Sequence, residues 1–133
     1  MTDTDAIREI VDDLATTFPG RRTLTPLHGV IDGAKVDRLE VDMLERGWGG
    51  PPVVADGEQA VTGSHRLAAR KRAWSDHGAD IEMPVVGISD LCEEFGIDWV
   101  DLVDKEVYLY EAVVAVVDRL PTDVVDYLGM DAH

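Results

Sequence analysis

The chain has 133 residues, 45% of them hydrophobic, and its 27 acidic against 12 basic side chains leave a net charge of −15. That length suits one domain with a sizeable core, and that apolar content excludes wholesale disorder, while no apolar run approaches the roughly 18 residues of a membrane span. The acidic start Met1-Thr2-Asp3-Thr4-Asp5 is unlike a signal peptide, and one cysteine, Cys92, excludes an internal disulfide or a cysteine metal cluster, so a cytoplasmic location is expected.

Ile7, Ile10, Val11 and Leu14 recur at helical spacing and predict a helix over Asp5 to Thr17, stopped by Phe18-Pro19-Gly20. Leu24-Thr25-Pro26-Leu27 is too brief and too marked by proline for a helix, so a short strand is expected between Arg22 and Leu27. Asp32-Gly33 precedes a second helical pattern, Ala34 to Arg46. Its core stripe is Val36, Leu39 and Met43 with Leu44 beside them, and Lys35, Arg38 and Asp42 share the adjacent face. Gly47-Trp48-Gly49-Gly50-Pro51-Pro52 should form an ordered loop. Val53 to Val61 reads as strand, turn and strand, with Asp56-Gly57 as the hairpin turn.

A helix is then expected from Ser64 to Ser75, where Leu67, Ala68 and Ala69 permit close packing on a sheet. After the loop Asp76 to Glu82, Pro84-Val85-Val86-Gly87-Ile88 reads as a buried strand. Helices are expected over Asp90 to Phe95, Trp99 to Leu120 and Thr122 to Leu128, with Pro121 separating the last two. The β-branched Val113, Val114, Val116 and Val117 would also suit a strand. The stripe Leu102, Tyr110, Val113, Val117 and Leu120 favours the helix. The expected fold class is α+β: a small mixed sheet of α/β type with packed helices, plus a C-terminal helical extension. Its expected divisions are an N-terminal helix over 1–21, an α/β unit over 22–89 and an acidic extension over 90–133. Val107, Leu109, Val113, Val114 and Val117 carry more apolar surface than an isolated hairpin can hide, so the extension should pack on the domain or form a dimer seam.

Thr62-Gly63-Ser64-His65-Arg66 carries the most chemistry. A glycine turn and cations arrive together where a strand hands over to a helix, and the first amides of a helix lack intrahelical partners. That context suits phosphate. His65 could donate to a phosphate oxygen or cap the turn. Ser64 could cap the helix, touch phosphate or accept a phosphoryl group. Trp48 could stack on a base or anchor its loop. Residues 1–75 hold 12 acidic and 10 basic side chains, whereas residues 76–133 hold 15 and 2. Against that acidic background Arg66, Arg70, Lys71 and Arg72 form a basic island. The overall field opposes nucleic acid and anionic membranes. His28, His77 and His133 share no metal-ligand spacing with one another or with Cys92.

In order and spacing, four segments resemble the ParB/sulfiredoxin-like superfamily over about Leu24 to Ile88. They are Asp32-Gly33-Ala34-Lys35-Val36-Asp37-Arg38-Leu39, Pro51-Pro52-Val53-Val54, Thr62-Gly63-Ser64-His65-Arg66-Leu67-Ala68-Ala69 and Met83-Pro84-Val85-Val86. The resemblance implies a ParB/sulfiredoxin-like domain over 22–89 that binds a nucleoside di- or triphosphate, with or without Mg²⁺. It implies phosphate contacts from Lys35, His65 and Arg66, and a close backbone approach at Gly63. Ser64 stands where sulfiredoxins have cysteine. A hydroxyl cannot form the sulfur–sulfur intermediate of sulfinic acid reduction, so that reaction is not expected. In length and in its Gly-Trp-Gly-Gly-Pro and Thr-Gly-Ser-His-Arg phrases the chain is most similar to free-standing phage or mobile-element members. Arg38 and Asp42 replace hydroxyl residues of the sulfiredoxin helix. Arg38 would add a phosphate contact, and Asp42 would hold Mg²⁺ or serve as a catalytic base, or pair with Arg38 or Arg46.

Four functions are compatible with these residues. The favoured one is a nucleotide- or phosphate-binding module acting as a switch or adaptor, with Lys35, Arg38, Gly63, Ser64, His65 and Arg66 as its site. The others are a small-molecule or protein kinase with Asp42 or Glu40 as base, a protein-interaction partner that has lost its ligand, and a ParB-type nuclease using Arg70, Lys71 and Arg72. DNA binding by the acidic extension is not expected.

Overall fold

The computed structural model describes residues 3–19, 22–26, 32–106 and 108–130. Helix α1 (Asp3–Leu14) precedes β1 (Thr16–Phe18) and β2 (Thr25–Pro26). Helix α2 (Gly33–Arg46) is followed by the hairpin β3 (Val53–Asp56) and β4 (Gln59–Ala60), then by α3 (Ser64–His77) and β5 (Met83–Gly87). Four helices close the chain: α4 (Ile88–Glu94), α5 (Trp99–Lys105), α6 (Leu109–Arg119) and α7 (Thr122–Leu128). Among the described residues the strands form one five-stranded mixed sheet in the order β1-β5-β3-β4-β2. β3 runs parallel to β5 and antiparallel to β4, while β1 lies antiparallel on β5 and β2 parallel on β4.

Strand alternation assigns the two faces. Val53, Ala55, Met83 and Val85 point to one side, where they meet Phe18 and Leu67. There α2 and α3 pack together through Val36, Met43, Ala69 and Ala73, the two alanines allowing close approach. Val54 and Val86 point to the other side and share a core with Val11 of α1 and with Leu91, Leu102, Val113, Val116, Val124 and Leu128. The result is a mixed α/β fold of three layers, whose C-terminal helices are part of the main core. The valine-rich stretch is helical, with Ala112, Val113 and Val116 buried and Val117 only half-buried.

Three expectations need correction. The first helix ends at Leu14, because Thr16 and Thr17 take up the ladder with Val85 and Pro84 and carry Phe18 into the core. β-Branched threonines suit that pairing. The helix expected over Trp99 to Leu120 is two helices, with Glu106 and Tyr108 extended between them. Unbroken, it would hold Trp99 and Leu120 about 30 Å apart; broken, both join one cluster. In α2 the stripe includes Glu40, which is buried, while Leu44 is exposed. Glu40 pairs with Arg72 at 3.2 Å and faces His77 at 3.8 Å, so its burial is compensated from α3.

Arg70 is 2% exposed. Its Nε donates to the Ile81 carbonyl at 2.8 Å and its Nη1 to that of Arg22 at 2.6 Å, while Nη2 donates to that of Pro19. The guanidinium thus fastens the segment after β1 to the approach of β5. Burial lowers its pKa, with Asp80 opposing. Leu27, His28, Val107 and His133 lie outside the described residues.

Candidate functional site

The turn before α3 is built on Gly63, at φ 78° and ψ 25°. Only glycine adopts this left-handed conformation without cost, and a β-carbon there would also meet Val53 Cγ2 at 3.3 Å. Thr62 holds the turn from the strand side, its hydroxyl accepting the Val54 amide at 3.0 Å. The first helical bond runs from the Leu67 amide to the Gly63 carbonyl at 2.8 Å. Among the described residues no side chain caps the start of the helix. Ser64, for which a cap was one of three roles, is the first helical residue and lines the cleft described below.

Helix α2 starts beside this turn. Asp32 caps it by accepting the Lys35 amide at 3.1 Å, and the Asp32 amide donates to His65 Nε2 at 3.2 Å. His65 therefore joins the two helix starts, with this Nε2 as the acceptor. Arg66 lies against the glycine loop: a β-carbon on Gly50 would overlap its guanidinium. Trp48 anchors that loop by donating from Nε1 to the Pro51 carbonyl at 3.1 Å and packing between two core clusters.

These parts face one cleft of about 860 Å³. Lys35, Trp48 and Thr62 through Arg66 form one wall; Tyr110, Val113 and Asp126 through Met130, from α6 and the end of α7, form the other. Lys35 and Arg66, far apart in sequence, thus come to a single concavity. No family model, curated protein or solved structure matches this chain.

Other nominated residues lie elsewhere. Arg38 is exposed and does not line the cleft, nor does Asp42, whose Oδ1 pairs with Arg46 Nη1 at 3.0 Å. Glu40 is committed to Arg72 and His77. The basic island after the turn is divided: Arg70 is buried on carbonyls, Arg72 pairs with Asp37 at 2.7 Å and with Glu40, and Lys71 is exposed. Among the described residues no group of three or more His, Cys, Asp or Glu is placed to hold a metal ion.

The far wall was missed from sequence. Tyr127 hydroxyl donates to Asp12 Oδ1 at 2.7 Å and the Arg8 guanidinium lies 5.1 Å from its ring, fastening α7 to α1. Burial, then the bond to Asp12, pushes the Tyr127 phenol up to about 12. The available signal was the presence of polar-tipped aromatics, Tyr110 and Tyr127, in otherwise valine-rich helices.

Proposed function

We propose that this chain binds a nucleotide through its phosphates, as a ParB/sulfiredoxin-like module acting as a switch or adaptor. One observation carries the reading: Lys35, the glycine turn at Gly63 and Arg66 line the same cleft, beside an uncapped helix start. A lysine and an arginine supply positive charge, and the first-turn amides of α3 supply oriented donors, the combination that phosphate oxygens favour. The chain order of a lysine-bearing helix, a Pro-Pro strand and a Gly-Ser-His-Arg turn supports the superfamily assignment. His65 contributes by positioning, since it ties the start of α2 to the turn. Mg²⁺ would be held chiefly by the phosphates and water, as that ion usually is.

A switch is favoured over a kinase because neither carboxylate proposed as base lines the cleft: Asp42 pairs with Arg46, and Glu40 with Arg72 and His77. A nuclease is disfavoured by the burial of Arg70 and the pairing of Arg72.

Thermal shift with ATP, ADP, CTP and GTP, with and without Mg²⁺, tests the proposal. A ligand at a hundred times its dissociation constant should stabilise the fold by about 2.7 kcal/mol. The shift should vanish in Arg66→Ala and shrink in Lys35→Ala. No shift with any nucleotide would reject nucleotide binding and favour the interaction-partner function.

A further inference from the structure

Resting on that phosphate reading, we infer that the base-binding end of the cleft selects guanine, through the carboxylate of Asp126 on the wall opposite Arg66. The cleft is bipolar. Lys35 and Arg66 come from the α2 and α3 layer, and Asp126, the one acid lining the cleft among the described residues, comes from the α6 and α7 layer with Tyr110, Val113, Leu128 and Met130. A site for bare phosphate gains nothing from a carboxylate, which repels the ligand. A cleft of about 860 Å³ is also far larger than an inorganic anion needs and lies within the range for nucleotide-sized ligands. The complementary ligand is anionic at one end, and flat, apolar and hydrogen-bond donating at the other.

Nucleobases differ in how well they meet a carboxylate. Guanine presents two adjacent donors, N1–H and the exocyclic N2 amine, matched in spacing to the two carboxylate oxygens. Adenine and cytosine place a ring acceptor beside their amine, and its lone pair opposes a second carboxylate oxygen. Uracil offers one N–H flanked by two carbonyls. A bidentate, charge-assisted pair is therefore available to guanine alone among the common bases. Tyr110, 41% exposed at the cleft, offers an aromatic surface for the ring. Asp126 is exposed, so its replacement should leave the fold intact.

Calorimetric titration of the full chain with GTP, ITP, ATP, CTP, UTP, xanthosine triphosphate and inorganic tripolyphosphate reads the two ends separately. GTP should bind about tenfold or more tightly than ITP, which lacks the N2 amine, and than ATP, CTP or UTP. Asp126→Asn should erase that preference, raise affinity for xanthosine triphosphate, whose C2 carbonyl can accept from the new amide, and leave tripolyphosphate unweakened. Equal affinity for all bases, or a guanine preference that survives Asp126→Asn, overturns the inference while tripolyphosphate binding keeps the phosphate site. Failure of both tripolyphosphate and every nucleotide to bind overturns both proposals.

Discussion

The guanidinium of Arg66 lies so close to Gly50 that a β-carbon on that glycine would come within 2.6 Å of Arg66 Cζ and 2.9 Å of Cδ. Gly50 does not have a positive φ, so space rather than backbone conformation demands glycine here. The loop between α2 and β3 thereby sets where the cation of the next helix can sit. Trp48 holds that loop in turn through the Pro51 carbonyl. Two segments that look independent in sequence thus form one device.

Gly50→Ala should therefore displace Arg66 without unfolding the chain. The overlap is with the far part of a flexible side chain, which can swing outward. Loss of one charge-assisted contact predicts phosphate or nucleotide binding weaker by about tenfold, with stability changed by about 0.5 kcal/mol or less. Titration with tripolyphosphate beside a thermal melt checks both. Unaltered affinity would mean that the position of Arg66 against the loop is irrelevant to the ligand.

Gly63→Ala should act in the opposite proportion. Its left-handed φ of 78° penalises any side chain, and the new methyl would press on Val53 Cγ2 at 3.3 Å. A loss of about 1–2 kcal/mol is expected, read as a lowered urea midpoint. Ligand affinity should fall as well, because the same turn sets the direction of the α3 amides. A variant as stable as the parent would show that this turn relaxes freely.

Local chemistry explains what could be read from sequence. The Asp32 cap, the Asp56-Gly57 hairpin, the Gly63 turn and the start of α3 are each specified by residues within a few positions of one another. β1 was hidden because Thr16-Thr17 continues the helical stripe of α1, and becomes a strand only when β5 lies beside it. Glu40, a possible base on sequence grounds, is instead a buried partner of Arg72 and His77, which reach it only once α3 has docked. Of the near wall, the Gly63–Arg66 turn was legible locally, whereas Lys35, on the preceding helix, was expected there only from the resemblance. The far wall was not legible: Asp126 and Tyr127 come to the same cleft as Lys35 and Arg66 only through the packing of α6 and α7 on the sheet.

Arg70 offers a test of structure against function for the basic island. Its guanidinium satisfies the carbonyls of Ile81, Arg22 and Pro19. Arg70→Met keeps much of the volume but removes a three-carbonyl clamp, of which the Ile81 bond is buried, and should cost about 2–3 kcal/mol. Arg70→Lys should recover little, since an ammonium on a flexible stem cannot span three carbonyls in that geometry. Chemical denaturation of both variants measures the loss. Near-parent stability in either one would remove the clamp, and would return Arg70 to the candidates for ligand contact.

Alkaline pH probes the other side of the sheet. Burial pushes the Cys92 thiol up from 9.0 to about 11, and burial with the Asp12 bond pushes the Tyr127 phenol up from 10.0 to about 12. For both groups the folded state keeps the neutral form to higher pH than the unfolded chain does. The stability so gained is complete below pH 9.0, and is lost as pH rises through 9.0 to about 11 for Cys92 and 10.0 to about 12 for Tyr127. Urea midpoints should thus be flat near neutrality and fall progressively above pH 9.0. Cys92→Ala should remove the earlier part of the fall, and Tyr127→Phe the later part, whatever each does to stability at neutral pH. Because Tyr127 also lines the cleft and fastens α7 to α1, its ionisation should loosen the far wall, and nucleotide affinity should drop in the same range. A parent profile that both variants reproduce unchanged would show that neither group governs alkaline unfolding.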